Sequence, residues 1–416
     1  SRGSVIPALP SDSVLPCSLS RFASARPTAA NRAKLVLVAI TALSVSWQLL
    51  ASVLWRQTDY FVYRLGGATV AHGGSLYADH LAGTPLPFTY PPFAAMLFVP
   101  LAALPERLGQ LGWAALMLIM LWAIIRSTLR RARQSGFATP AILAPATIMG
   151  LALWTDPVRQ GFSLGQINLL VAGLVLADLG STLPARWRGV LIGIAAGLKL
   201  TPLIFIPYLL ITGRPRAAAT ALTTFAGTIA LGSLAGLPQS VHFWRDVALS
   251  SAHVGGVPYV SNQSITGDVT RWIGHVPSGT VWHAVIGSFS LLGLVVARVA
   301  HRTAPIIGDV LAGLTGILVS PISWTHHLIW LSPALILIAA GDQRLDRLLC
   351  AGATLTLLVA PIWWVPNKQN REFQHHGWQL LAACSFTLVV LILMARLAVI
   401  CRVPRIQADE HASRRR

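Results

Sequence analysis

Acidic residues are scarce: 14 Asp and Glu stand against 32 Lys and Arg in 416 residues, and charged residues of both signs reach only 11%. A soluble domain carries roughly a quarter of its residues charged. A large water-soluble globule is therefore excluded. Cysteine is scarce too. Cys17, Cys350, Cys384 and Cys401 are scattered with no metal-site or disulfide spacing, and read as inert small apolar residues. The chain has no glycine-rich phosphate loop, nucleotide-binding αβ unit or soluble catalytic domain. It also has no Asp-x-Asp pair, which counts against a metal–diphosphate site, and no metal or other cofactor is expected.

What is present is hydrocarbon. Hydrophobic residues make up 54% of the chain and fall in long runs. The fold class is all-α, a polytopic membrane protein with about 12 transmembrane helices, each needing roughly 20 apolar residues. The candidate spans are 35–55, 108–125, 140–154, 166–180, 189–199, 200–213, 217–237, 281–297, 306–320, 328–341, 348–365 and 379–395. The stretch Pro91–Pro105 is bounded by prolines and reads as non-spanning or re-entrant. The net charge of +18 forms no single stripe suited to nucleic acid, and none is expected as a partner. Basic residues recur instead as clusters between apolar runs, such as Arg126/Arg130/Arg131/Arg133, Arg214/Arg216 and Arg298/Arg302, the pattern that holds loops in the cytoplasm. Both termini are then cytoplasmic. If 91–105 crossed and 189–213 were one span, three Arg-bearing loops would move outside, against that rule. The chain divides into a disordered Ser-, Pro- and Arg-rich cytoplasmic tail (1–34), a transmembrane catalytic module (35–401) and a basic cytoplasmic tail (402–416). Ser1 stands where an initiating Met would be expected, as at a processed or altered end. Leu35–Trp55 is too long for a signal-peptide core and reads as a retained anchor.

This topology delivers the unusual polar motifs to the opposite face. Asp59 follows the first span and shares one or two turns of a surface helix with Tyr60 and Tyr63, a helix that Gly73–Gly74–Ser75 stop. It is either a solvated loop acid or a proton acceptor, its pKa nudged upward by apolar surroundings while it stays ionised. Asp79 lies farther from the membrane exit. The rigid run Pro87–Phe93, with Tyr90 at its centre, is an interfacial anchor or the wall of a pocket. Gln166 and Asn168 open a span, and either cap it or bond a polar ligand, while Asp156 and Arg159 pair with each other.

Lys199 is the clearest anomaly. A lysine centred in a membrane helix costs about 2.5–3.5 kcal/mol, so it snorkels or faces a cavity or a partner. The Thr201–Pro202 that follows breaks the helix and frees the ammonium to meet an anion. In Ser320–His327 the adjacent His326 and His327 point apart, and the zinc spacing of two His at i, i+4 is absent. One of them donates to phosphate oxygens, or both serve as caps. Asn262 and Gln263, with Asp268 and Arg271, are suited to hydroxyls and phosphate but sit in a long polar loop. His375–His376 add little.

Taken in order, an Asp after the first span, G-x-x-L-Y at 73–77, PFTYPPF, GQIN, GLKLTP, SNQS and PISWTHH resemble the actinobacterial polyprenol-phosphate-mannose-dependent α-1,2-mannosyltransferases, glycosyltransferase family 87. The resemblance spans residues 35–395. It implies a GT-C helical bundle in the cell membrane, with a catalytic first loop outside the cytoplasm and no nucleotide sugar. It also implies a polyprenyl-phosphate-mannose donor and a mannosylated phosphatidylinositol acceptor among the membrane lipids. Within the family the pattern is most similar to members that extend phosphatidylinositol tetramannoside to pentamannoside; lipomannan-branching and arabinosyl relatives share much of it. By the resemblance, Asp59 is the general base of a single inverting displacement. Lys199, His326, His327 and Arg271 face the donor phosphate. Tyr63, Tyr90, Gln166, Asn168, Asn262, Gln263 and Trp324 contact substrate. The single Asp, where other GT-C families carry paired acids, argues against copying a metal requirement. The rival class, a transporter or flippase of lipid-linked sugars, predicts paired midplane charges and an internal repeat. No repeat is visible, and a purely structural scaffold leaves the outer motifs unexplained.

Overall fold

The computed structural model describes residues 29–77, 86–139, 144–180, 183–248 and 255–401. Cys17, Asp79, residues 1–28 of the first tail and the whole tail 402–416 lie outside the described residues. Among those described, every regular element is helical apart from one isolated bridge between Asn262 and Trp324.

The chain starts on α1 (Ala29–Leu54), whose helix begins ahead of the apolar run itself, and re-enters helix at once in α2 (Thr58–Ala71). The proline-bounded stretch gives two short helices, α3 (Pro92–Leu97) and α4 (Val99–Ala103). Each carries Pro in its first turn, where the missing N–H is not needed. Then come α5 (Glu106–Gln134), α6 (Pro145–Ala152), α7 (Asp156–Leu164), α8 (Asn168–Leu179), α9 (Val190–Leu198), α10 (Phe205–Ile211) and α11 (Pro215–Gly232). The second half holds α12 (Leu237–His242), α13 (Ile265–Ile273), α14 (Gly279–Thr303), α15 (Pro305–Val319), α16 (Leu331–Ala339), α17 (Arg344–Val359), α18 (Trp378–Ala383) and α19 (Ser385–Ile400).

Five of the described helical segments are long and apolar enough to cross a bilayer: Asn31–Leu54, Glu106–Gln134, Pro215–Ala235, Gly279–Thr303 and Arg344–Trp364. A sixth follows if α7 and α8, bent by 117°, are one broken span. Other apolar segments are shorter. The sequence segments 140–154 and 189–199 hold helices of 8 and 9 residues. The second of these stops at Lys199, just ahead of Pro202. Large side chains lie open on the long helices, with Leu43 71% and Val281 79% exposed. In water such a surface would aggregate; lipid covers it here. The chain is an integral membrane protein.

Inside, α5 packs on α1 and α8, α9 on α11, and α14 on α15. A knot of charge lies in the apolar interior where α5, α10 and α15 meet. The Asp309 carboxylate on α15 is fully buried and accepts hydrogen bonds from Arg131, at the end of α5, and from the Tyr208 hydroxyl of α10 at 2.8 Å. Arg214 and His301 approach the same carboxylate at 3.8 and 3.9 Å. Removing one partner of a buried ion pair strands the other, at about 3–5 kcal/mol. Asp309→Ala should therefore lower the thermal unfolding temperature of the purified protein sharply, and a neutral Arg131→Met/Asp309→Leu pair should recover part of the loss.

Candidate active site

Asp59 occupies the first turn of α2, where the helix dipole favours a carboxylate, and lies outside the long apolar spans. Tyr63, one turn on, shares its face. The connector between α7 and α8 is pressed against this end of α2 through Gly165. That residue has φ +71°, and a Cβ there would stand 2.7 Å from the Tyr60 Cβ and 3.1 Å from that of Gln57. Only glycine meets both demands. The result is that Gln166 sits beside the acid. Its Nε2 donates to Asp59 Oδ2 at 2.6 Å.

The other end of that amide gathers donors. Gln166 Oε1 accepts from the Tyr63 hydroxyl at 3.2 Å, the Tyr90 hydroxyl at 3.4 Å and Asn168 Nδ2 at 3.4 Å. The two hydroxyls lie 3.0 Å apart. Tyr90 belongs to a buried ring cluster with Tyr63, Phe88 and Phe98. Asn168 does not cap α8. Its Nδ2 also donates to the His326 carbonyl at 2.9 Å, and its Oδ1 accepts from Lys199 Nζ at 2.8 Å.

Lys199 is delivered by α9. Asp178 fixes the start of that helix by accepting from the backbone N–H groups of Gly189, Leu191 and Ile192 at 2.7, 2.9 and 3.1 Å. At the other end the chain leaves helix at Lys199 with extended backbone, φ −155° and ψ 134°. A cation there complements the helix C-terminus. The ammonium also meets His327 Nε2 at 2.9 Å and stands 5.8 Å from the centre of the Tyr90 ring. An ammonium only donates, so His327 Nε2 accepts and its ring proton sits on Nδ1. That atom and His326 Nε2 are buried without a hydrogen-bond partner among the described residues.

Asp59, Lys199 and the imidazoles are thus joined in one network through Gln166 and Asn168. Burial raises the Asp59 carboxyl from 3.8 to about 6, against the opposing pull of the Gln166 bond and the Lys199 charge. It stays ionised at neutral pH, yet close enough to take up a proton. Burial also raises the Tyr63 and Tyr90 hydroxyls, which remain protonated donors.

The 255–263 loop is placed differently. Arg271 donates to the carbonyls of Pro258, Tyr259 and Asn262 and pairs with Asp268. Asn262 bonds the carbonyls of Val257 and Pro321 and the N–H of Ser323, and Gln263 bonds Val260, Ala383 and Thr387. Asn262 thus ties the loop to the Ser320–His327 turn, Gln263 ties it to α18 and α19, and Arg271 braces the loop itself. Trp324 meets Tyr259 edge to face with ring centres 5.9 Å apart. Arg159 pairs with Asp156, which also accepts from the Trp363 indole. Hydrogen-bond direction inside a loop leaves no mark in composition, so no sequence signal separates these amides from Gln166 and Asn168.

A small cavity of about 40 Å³ lies beside Asn168 and His327 and is lined by Val171, Val175, Phe205 and Trp330. A carboxylate and a lysine–imidazole pair, linked by two amides, thus form one polar network beside this cavity. Residues 88–321 match the family model of glycosyltransferase family 87. The chain belongs to that family. It is 33% identical over 369 residues to the polyprenol-phosphate-mannose-dependent alpha-(1-2)-phosphatidylinositol pentamannoside mannosyltransferase of Mycobacterium tuberculosis (strain CDC 1551 / Oshkosh), covering 86% of this chain and 84% of that one. It is 34% identical over 405 residues to the polyprenol-phosphate-mannose-dependent alpha-(1-2)-phosphatidylinositol mannoside mannosyltransferase of Mycolicibacterium smegmatis, covering 88% and 89%. The crystal structure of ArnT from Cupriavidus metallidurans bound to undecaprenyl phosphate aligns over 90% of this chain and 75% of its own, at 16% identity and a TM-score of 0.46.

Proposed function

We propose that this chain is an inverting mannosyltransferase of the cell membrane. It moves mannose from polyprenyl-phosphate-mannose to the 2-hydroxyl of a mannose on a phosphatidylinositol mannoside, converting tetramannoside to pentamannoside. The observation that carries this is a half-buried carboxylate, Asp59, in the same hydrogen-bonded network as Lys199 and His327. Asp59 removes the proton of the acceptor hydroxyl as its oxygen forms the new bond to the anomeric carbon. The bond from that carbon to the phosphate oxygen breaks on the opposite face, and the electron pair leaves with polyprenyl phosphate. A β-linked donor thereby gives an α product. The leaving group gathers charge and needs donors rather than an acid. Lys199 and the unpartnered His326 Nε2 and His327 Nδ1 supply them.

Tyr63, Tyr90, Gln166, Asn168 and Trp324 border the sugars. Asn262 holds the Ser320–His327 turn in place, while Arg271 and Gln263 brace the loop that carries Asn262. The bundle is of GT-C type with about 12 crossings, short helices pairing to complete them, both termini in the cytoplasm and the site on the outer side.

Purified full-length protein given radiolabelled polyprenyl-phosphate-mannose and a panel of lipid glycans should label phosphatidylinositol tetramannoside. Labelling of a lipomannan alone would move the acceptor assignment, and no transfer to any glycan would remove the function. The pH profile follows from the carboxyl at about 6. The proton-accepting form fills above that value, so kcat/KM should fall about tenfold per unit below it. An acid limb near pH 4 would show that another group sets the rate.

A further inference from the structure

The side chains that link Asp59 to Lys199 form a hydrogen-bond series whose direction is fixed at both ends. The Lys199 ammonium can only donate, so the oxygen of Asn168 must face it. The Asn168 nitrogen then donates to the His326 carbonyl at 2.9 Å, which favours the same orientation, and reaches Gln166 at 3.4 Å, where it can meet only the oxygen of that amide. The Gln166 nitrogen is left facing Asp59, which as a carboxylate can only accept. The Tyr63 and Tyr90 hydroxyls reinforce the same sense, since both reach Gln166 Oε1. A protonated Asp59 carries an O–H on this side and suits the reverse orientation of Gln166. To turn that amide, Asn168 must turn too, and its oxygen would leave the ammonium.

We propose that Gln166 and Asn168 are positioning residues that form a one-way amide wire, by which Lys199 holds Asp59 in its proton-accepting state although the two do not touch. This rests on Asp59 being the general base. Gln166, and to a smaller degree Asn168, thereby tune the acid without meeting the reacting atoms in this role. The charged and titratable groups facing Asp59 are Tyr63 on its own helix, Tyr90 from the loop before α3, and Lys199 after α9, with His326 and His327 behind the lysine. Arg64 is turned to the Leu101 and Leu104 carbonyls, Arg56 lies over the Phe61 ring, and Arg159 pairs with Asp156.

The test uses Asn168→Leu, which changes no charge and removes no contact to Asp59. Full-length enzyme in detergent is assayed with polyprenyl-phosphate-mannose and phosphatidylinositol tetramannoside across the acid limb of kcat/KM. Gln166→Leu should raise the limb by about one unit and Asn168→Leu by roughly half a unit. A limb that moves in Gln166→Leu but stays at the wild-type position in Asn168→Leu overturns the wire, whatever happens to the plateau rate. If Asn168→Leu does not fold, Asn168→Ser is titrated by infrared instead, following the protonated-carboxyl band that Asp59→Asn removes. An upward shift of that band's midpoint supports the wire and an unmoved midpoint overturns it. Turnover by Asp59→Asn would bring down the base assignment itself, a result distinct from an immobile limb.

Discussion

Asp59→Asn is expected to lose at least about 10²–10⁴-fold in kcat, the usual worth of a positioned base, with no loss of folded protein. The substitution keeps size and shape. Its amide oxygen still accepts from Gln166 Nε2, so the ring cluster of Tyr63 and Tyr90 has no reason to move. Stability should, if anything, improve. The folded carboxyl holds its proton more tightly than the unfolded one, at about 6 against 3.8, so the native state is stabilised as pH falls through that window and penalised above it. A neutral amide escapes the penalty at pH 7. Unchanged or raised thermal unfolding together with absent transfer is the expected pair of results, measured on the same preparation. Retained turnover would strip Asp59 of its role.

Lys199→Met should be the next most damaging change. In the proposed reaction the leaving phosphate develops its second charge beside the ammonium, and losing one preorganised electrostatic donor costs about 10²–10³-fold in kcat. The donor KM should rise more than the acceptor KM, because the lysine faces the phosphate end of the network. Lys199→Arg should rescue poorly. A planar fork does not reproduce a point charge that meets Asn168 Oδ1 at 2.8 Å and His327 Nε2 at 2.9 Å together. Initial rates with each substrate varied separately decide the matter, and an unchanged donor KM and kcat would exclude the assignment.

Much of the site is legible in the amino-acid sequence, for physical reasons. A lysine in hydrocarbon and an acid at a membrane exit each carry a cost that demands a use, so Lys199 and Asp59 stand out. Gln166 and Asn168 are recognisable as polar groups at a helix start, but their partners come from α2, α9 and the 320–327 turn. No local pattern encodes that meeting. Arg271, Asn262 and Gln263 are equally polar as residue types; only the path of the loop backbone sends their bonds inward. The fold class follows from composition, whereas helix lengths do not. Pro202 and Lys199 cut apolar runs into pieces, and hydropathy averages across the cut.

The knot around Asp309 bears on how the chain is made. Arg131 precedes its partner by 178 positions, and Arg214 and Tyr208 also emerge from the ribosome before α15 does. Until that helix arrives, these groups wait without their shared acceptor. Closing the knot thus ties α5 and α10 of the first half to α15 of the second. Any nascent chain released earlier carries an uncompensated cation where the finished enzyme has none.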